Sequence, residues 1–319
     1  MKIVMINDCA YVGETLIKYL PENFSVFHLK RSRSFLDKTL GIAWRIFRSE
    51  GVLYHVHYLL QDCWLTLKFG KHPVIGHAHG SDVRLSLKHF AWSRIVRHNL
   101  EKCDKIVVST PDLLNTAKEY NESTEYIPNL VNESIFYTRA LERPENKIKV
   151  LIAVDSNWNV KGTDIIMRAL KRVEKDVDVS MIKYGVDSDK TLKLARNLNL
   201  HVNVLSPVPH VYMPEYYWGA DTVIGAIGIG GALGMVVLEA IACGRPVITR
   251  ASSEFSEYVT FPLLDISTPE EIADAILSSK DENLWRKEYE YFRSYHNPEK
   301  VAKRFMKIYN YLIEGKKTD

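Results

Sequence analysis

The chain predicts two α/β domains in tandem, each a parallel sheet wrapped by helices on both sides. Three observations carry this. Short apolar runs alternate with amphipathic segments along its length. The runs KIVMI (2–6) and IKVLIAV (148–154) are nearly continuous in apolar residues, as strands buried on both faces are. The second run restarts the alternation after RPENK (143–147), a proline-containing stretch with little apolar content. At 319 residues the chain is long for a single core and comfortable for two.

The first strand leads into NDCAYVGETLIKYL, where Gly13 sits just before a helix whose Leu16, Ile17 and Leu20 share a face. Strand, glycine-containing turn and helix make the first half of a βαβ unit. Further strands are expected over 25–29, 52–56, 73–78 and 105–109, with helices over 59–69 and 93–101. In the second half, strands are expected over 148–154, 177–184, 201–205, 222–226 and 246–249. The turn SNWNVKG and a helix over 163–173 follow the first of these. A final helix over 298–313 places Val301, Phe305, Ile308, Tyr309 and Leu312 on one side. No internal repeat or low-complexity segment interrupts the pattern.

Composition narrows the class. The 46% hydrophobic and 25% charged content is that of a globular protein, which argues against disorder. The balance of 42 basic and 39 acidic side chains gives +3, too small to call for a nucleic-acid partner. Cys9, Cys63, Cys103 and Cys243 are far apart, and no pair has metal-ligand spacing. They read as reduced residues in or near the core of an intracellular protein. The start MKIVMIND has no signal-peptide pattern, and no window reaches the ~18 uninterrupted apolar residues of a membrane span. The expectation is a cytoplasmic protein, soluble or peripheral on the inner face of the cell membrane. The peripheral option comes from segment 30–48, where Lys30, Arg31, Arg33, Lys38, Arg45 and Arg48 stand against one acid, Asp37. Phe35, Leu36, Leu40, Ile42, Trp44 and Phe47 are interleaved with those charges. Such a stretch suits either an anionic membrane surface or an ordinary surface helix with Trp44 in the core.

The densest chemistry lies in GIGGALGMVVLEAIACGRPVIT, residues 228–249. A glycine-rich turn lets a backbone approach a ligand closely, and the helix after it points N–H groups and a positive dipole end back at the turn. That suits a phosphate; the same glycines also suit a plain tight turn. Glu239 interrupts the apolar run MVVLEAIA, where a carboxylate is costly to bury without a partner.

Taken in order, YHVHYLL (54–60), PVIGHAHGSD (73–82), CDKIVVSTP (103–111), IPNLVNESIF (127–136), VKGTD (160–164) and LGMVVLEAIACGRPVI (233–248) resemble the glycosyltransferases of family 4. NPEKVAKRFMKIY at the end is similar to the family's last helix. The resemblance spans nearly the whole chain. It implies the GT-B fold, two Rossmann-like domains with parallel sheets facing across a cleft. The expected division is 1–143 for the acceptor side, 144–297 for the nucleotide-sugar side, and 298–319 for a helix crossing back to the first domain. It further implies a retaining hexosyltransferase that needs no metal or other cofactor. Such an enzyme moves a sugar from a nucleotide-diphosphate sugar to a glycan or lipid-linked acceptor.

Residue by residue, the resemblance places Glu239 on the ribose hydroxyls of the nucleotide; a carboxylate accepts two such donors. It places Lys161 on the diphosphate, His79 beside the transferred sugar, and Gly13 where the first-domain loop approaches the phosphates. His55, His57 and His77 are left as structural or acceptor-side. The N–H groups of Gly231, Ala232, Leu233 and Gly234, with the helix dipole, would stabilise the departing phosphate.

Two positions depart from the family pattern. The family's paired glutamates stand eight positions apart, and Gly231 occupies the first of them. The arginine five residues before the lysine is replaced by Ser156, which removes a bidentate donor that lysine does not imitate. Arg250 is the candidate to restore that charge. Asn129 and Leu130 stand where asparagine and glycine are usual, which bears on loop shape. These departures leave open a catalytically silent nucleotide-sugar-binding partner subunit of the same fold. A nicotinamide dehydrogenase is disfavoured, because the first turn has only Gly13 and GIGGAL ends on Leu233 where a third glycine belongs. DVD (176–178) and DSD (187–189) imitate a metal motif of another fold and are expected to be solvated acids.

Overall fold

A computed structural model describes residues 1–31, 40–140, 146–229 and 231–315. The chain divides into two compact units, Met1–Leu130 with Asn297–Asp319, and Val131–His296. The first unit alternates β1 (Lys2–Ile6), α1 (Val12–Tyr19), β2 (Ser25–Leu29), α2 (Ile42–Arg48), β3 (Leu53–His57), α3 (Gln61–Lys68) and β4 (Val74–Ala78). It continues through α4 (Ser81–Arg84), α5 (Ser93–Lys102), β5 (Lys105–Val108), α6 (Leu114–Lys118) and β6 (Thr124–Tyr126). Its strands form one parallel sheet in the order β2-β1-β3-β4-β5-β6. All residues of β3 and β4 are buried, the mark of central parallel strands covered on both faces.

The second unit runs β7 (Ile148–Ile152), α7 (Trp158–Lys161), α8 (Thr163–Arg172), β8 (Val177–Ile182), α9 (Ser188–Asn197), β9 (Asn203–Leu205) and α10 (Met213–Trp218). Then come β10 (Thr222–Ile224), α11 (Met235–Ala242), β11 (Val247–Ile248), α12 (Pro269–Ser278) and α13 (Glu282–Tyr295). The sheet is parallel, in the order β11-β10-β7-β8-β9. Successive residues of β7 feed two cores, because side chains alternate across a strand. Ile148, Val150 and Ile152 join one core, and Leu151 and Ala153 the other. The last helix, α14 (Pro298–Gly315), belongs to the first unit and packs on α1 and β3 through a buried side that includes Val301, Phe305, Ile308 and Tyr309.

Several expectations shift. The first unit ends at Leu130, earlier than the expected 143, because Val131 and Phe136 are buried in a core of the second unit. Composition marks polar chain, whereas a boundary is set by which core the apolar side chains join. Residues 141–145, which hold most of the linker candidate, lie outside the described residues. Strands are shorter than their apolar runs: β10 stops at Ile224 and β11 is only Val247–Ile248. β6, only three residues long, gives no period to read. Gly13 lies inside the first turn of α1, not ahead of it.

Of segment 30–48, residues 32–39 lie outside the described residues. In the described part, α2 buries Ile42 and Ile46. Trp44 is 61% exposed, which corrects the reading that put it in the core. Leu40 and Phe47 are exposed beside it, and the Arg48 guanidinium lies 5.6 Å from the Trp44 ring centre. Among the described residues, no helix is long and apolar enough to cross a membrane.

Candidate functional site

In the first unit the candidate residues gather at the carboxyl ends of β1, β3 and β4, the edge where open α/β sheets bind ligands. His55 and His57 point to the same face of β3, and the pairing of His57 with His77 brings β4 alongside. Four imidazoles result, with His55 against Phe305 and Tyr309 of α14 and His77 against Phe305. His55 Nδ1 pairs with the Tyr309 hydroxyl at 2.7 Å and His55 Nε2 with His77 Nδ1 at 3.1 Å. His57 Nδ1 pairs with His79 Nε2 at 2.8 Å. Burial drives all four below the ordinary histidine pKa, His57 to about 4, so the cluster is neutral near pH 7.

Asp82, quoted within HAHGSD but given no role, fixes this arrangement. Its buried carboxylate accepts N–H bonds from Leu59, His79, Gly80 and Val83 at 3.0–3.1 Å, tying the loop after β3 to the loop after β4. His79 is therefore held at both its backbone and its ring. A second missed residue, Asp8, alters the reading of Gly13. The N–H groups of Gly13 and Glu14 donate to the Asp8 carboxylate at 2.8 and 3.0 Å, so the amino end of α1 is already capped by an anion. A Cβ on Gly13 would lie 2.9 Å from His57 Nε2 and 3.0 Å from Met5 Sδ. Glycine is needed here for packing against the histidines.

A cavity of about 550 Å³ opens in the same unit beside the ends of β1, β2 and β3. Asp8, Lys30, Arg31, Tyr58, Asp62 and Trp92 are among its lining residues. Arg31 holds the buried Asp62 carboxylate through Nε at 2.8 Å and Nη2 at 2.6 Å.

In the second unit, the structure brings Lys161, Gly228 and Arg250 together. Asn157 caps α7 by accepting from Val160 N–H at 3.0 Å, and Gly162 ends it at φ 66°, a left-handed turn that glycine adopts without strain. Ile227 N–H then donates to the Lys161 carbonyl at 3.0 Å. The two turns touch so closely that a Cβ on Gly228 would stand 2.5 Å from the Val160 carbonyl oxygen. Arg250 Nη1 lies 3.5 Å from the Gly228 carbonyl oxygen, and its buried Nε has no partner among the described residues. Lys161 Nζ is 3.9 Å from Asp155, both partly exposed, a loose pair that leaves the ammonium able to take another anion.

The other candidates are placed differently. Ser156 is fully buried, its hydroxyl directed at the Met181 sulfur 4.0 Å away, so its side chain is a packing group in this structure. Gly231 sits at φ 52° with a virtual Cβ 2.8 Å from Ser252 Cβ. The position that holds an acid in the family pattern is here closed to any side chain. Leu233 N–H is taken by the Tyr258 hydroxyl at 3.2 Å, which removes it from the expected phosphate cradle. Ala232 and Gly234 are partly exposed, and Gly234 begins α11 without a side-chain cap and with open space at its Cβ position.

Glu239 is 4% exposed and engaged at both oxygens: Oε1 with His210 Nε2 at 2.7 Å, and Oε2 accepting from the Tyr217 hydroxyl at 2.9 Å. The carboxylate that looked costly to bury thus has partners. Nothing in the run PHVYM (209–213) marks His210 as one of them. The acids imitating a metal motif are structural or solvated: Asp187 accepts from Trp158 N–H at 2.9 Å, Asp189 pairs with Lys183, and Asp178 with Lys147.

Residues 148–280 match the family model described as glycosyl transferases group 1. The chain is 24% identical over 294 residues to N-acetyl-alpha-D-glucosaminyl L-malate synthase of Bacillus anthracis, covering 83% of this chain and 76% of that one. Among solved structures, sucrose-phosphate synthase of Thermosynechococcus elongatus superposes with a TM-score of 0.78 at 18% identity, covering 99% of this chain and 100% of that one. Anabaena HepE, in complex with UDP-glucose, gives 0.77 at 14% identity over 98% and 100%. Two parallel-sheet units and a returning C-terminal helix agree with these structures: the chain has the GT-B fold, and its second unit carries the segment that matches the group 1 glycosyltransferases.

Proposed function

We propose that the protein is a retaining, metal-independent hexosyltransferase that moves a sugar from a nucleotide-diphosphate sugar to a glycan or lipid-linked acceptor. The observation that carries this is the meeting of Lys161, Gly228 and Arg250 within the matched segment. The Arg250 guanidinium reaches the Gly228 carbonyl and the Lys161 backbone is bonded to the same turn, whose glycines permit close approach, beside a helix whose amino end at Gly234 has no side-chain cap. That is a place for a diphosphate. Arg250 supplies the guanidinium missing at Ser156. Negative charge growing on the departing phosphate is stabilised by Lys161, Arg250 and the α11 dipole. Glu239 retains lone pairs for ribose hydroxyls beyond those used by Tyr217 and His210. His79 acts as a neutral hydrogen-bonding group beside the transferred sugar, and the cavity lined by Asp8, Lys30, Arg31 and Trp92 takes the acceptor. A uridine nucleotide is the first donor to try, since HepE was solved with UDP-glucose. The exposed Leu40, Trp44 and Phe47 among arginines support attachment to an anionic membrane.

One experiment tests the core of this reading. A panel of nucleotide sugars is screened by thermal shift, and the stabilising donors are assayed for transfer and hydrolysis without and with magnesium. Turnover independent of the metal, and lost in Lys161→Ala, is the expected result. Binding without turnover at any acceptor would favour the second reading, a silent binding partner subunit, which the closed Gly231 position supports.

A further inference from the structure

The four imidazoles of the first unit carry eight ring nitrogens, and their bonds to one another and to Tyr309 use five of them. The remaining three, His57 Nε2, His77 Nε2 and His79 Nδ1, are buried without a partner. Protonation states cannot repair this. A neutral imidazole has one N–H and one lone pair. In the His57–His79 pair, one ring donates and the other accepts. The donor is then left with a bare lone pair and the acceptor with an unsatisfied N–H. Adding a proton is opposed by the burial that makes the cluster neutral. Three unpaired buried nitrogens in one cluster are costly, at roughly 1–3 kcal/mol each, and such a site calls for an ion or a water to complete it.

An ion fits the chemistry better. His55, His57 and His77 each offer a nitrogen, all lying within 4.8 Å of one another. Holding a metal would exchange the 3.1 Å hydrogen bond between His55 Nε2 and His77 Nδ1 for two metal bonds with little movement, since two ligands of a tetrahedral zinc with bonds of about 2.0 Å stand ~3.3 Å apart. Two of the three also have outer partners of the kind that orient metal-bound imidazoles: Tyr309 at His55 Nδ1 and His79 at His57 Nδ1. Neutral imidazoles select a borderline cation over magnesium or calcium.

We propose that His55, His57 and His77 form a binding site for a divalent transition metal such as zinc or cobalt. The ion sits between β3, β4 and α14 and is acquired as the chain folds, because the site is closed in the folded protein. It holds the strands that position His79 against the returning helix, and it takes no part in the transfer step. This rests on the geometry of the first unit and not on the reading of the second.

The full chain is unfolded with chelator, refolded with zinc or cobalt, and desalted. Metal content and X-ray absorption are then measured. The expected result is one metal per chain with three nitrogen donors at about 2.0 Å, and its loss in His55→Gln and His77→Gln but not in His201→Ala. No metal retained by the unmodified chain overturns the proposal. So does a spectrum dominated by sulfur, which would point to Cys63 and Cys103, whose thiols lie 3.5 Å apart. The spectrum is read on the unmodified chain, so the test does not depend on the variants folding. Donor binding by the second unit is scored separately, and either proposal can fail without the other.

Discussion

The two units share an architecture and differ in how they hold their polar side chains. In the first, the candidate residues are neutral rings on β3 and β4, bonded to one another and to Tyr309, with the Asp82 and Asp62 carboxylates buried nearby under N–H and guanidinium donors. In the second, they are ions at strand ends and helix starts: Lys161, Arg250 and Glu239. Neutral rings tolerate full burial, whereas ions remain near water or take partners. Lys161 and Arg250 stay partly exposed, while Glu239 is sealed by Tyr217 and His210. A unit that handles a phosphate needs cations within reach of solvent. In the proposed reading, a unit that presents one imidazole, His79, to a sugar needs a rigid mount.

The largest test of that contrast is Lys161→Ala. If the second unit works by charge, kcat falls about 10²–10³-fold, as loss of one charge-stabilising donor does elsewhere, with the fold unchanged because the ammonium is held by a loose 3.9 Å pair with Asp155 that adds little stability. Steady-state kinetics on the donor that proves active checks this; unchanged turnover removes Lys161 from the site. Arg250→Lys should sharpen it further. The planar fork is lost but the charge kept, and a fall smaller than that of Arg250→Ala would show charge and not bidentate geometry at work.

In the first unit the corresponding substitution acts through rigidity. Asp82→Asn keeps the size of a side chain that accepts four N–H bonds but weakens each acceptor and introduces a buried donor. A loss of about 2–3 kcal/mol in stability is expected. It should come with faster hydrogen exchange at Leu59, His79 and Gly80 and unchanged exchange at Gly228. Equal change in both units would break the comparison.

Gly231→Glu asks whether the family's missing acid can be restored. The φ of 52° and the Ser252 Cβ at 2.8 Å from the virtual Cβ leave no room. The variant should lose about 1–3 kcal/mol from backbone strain and gain no turnover. Improved activity would show that this loop rearranges on donor binding.

How far these features could be read from the sequence follows from their range. The alternation of strands with helices and the apolar faces of α8 and α14 obey local periods, and the expected elements are present with shorter ends. Lys161 is singled out by the family resemblance, and Arg250 as the candidate to restore the charge missing at Ser156. The partners are not. Glu239 meets His210 and Tyr217 across 29 and 22 residues, and His57 meets His79 across 22. Such pairs depend on register between parallel strands and on helix placement, which no local pattern encodes. The neighbours of Ser156 and Gly13 are hidden for a related reason: a short residue beside a helix start looks alike in sequence whether or not it packs, as here, against Met181 or His57.

The smallest effect belongs to Glu288, which tests whether a lone acid in the second unit obeys the rule that buried ions need partners. Its carboxylate is fully buried on α13; one oxygen accepts from Val247 N–H at 2.9 Å, and the other has no partner among the described residues. Burial raises its pKa well above the ordinary carboxylate range, opposed by the single N–H bond. The sign follows. The folded state binds this proton more tightly than the unfolded state, so the favourable contribution is full below the unfolded value near 4.5 and is lost as pH rises toward the folded one. Glu288→Gln fixes the neutral form and keeps an acceptor for Val247. The variant should match the parent in acid and exceed it by about 1 kcal/mol at pH 8, measured by urea unfolding across that range. A parent whose stability relative to the variant does not fall with pH would show that Glu288 is charged and partnered after all.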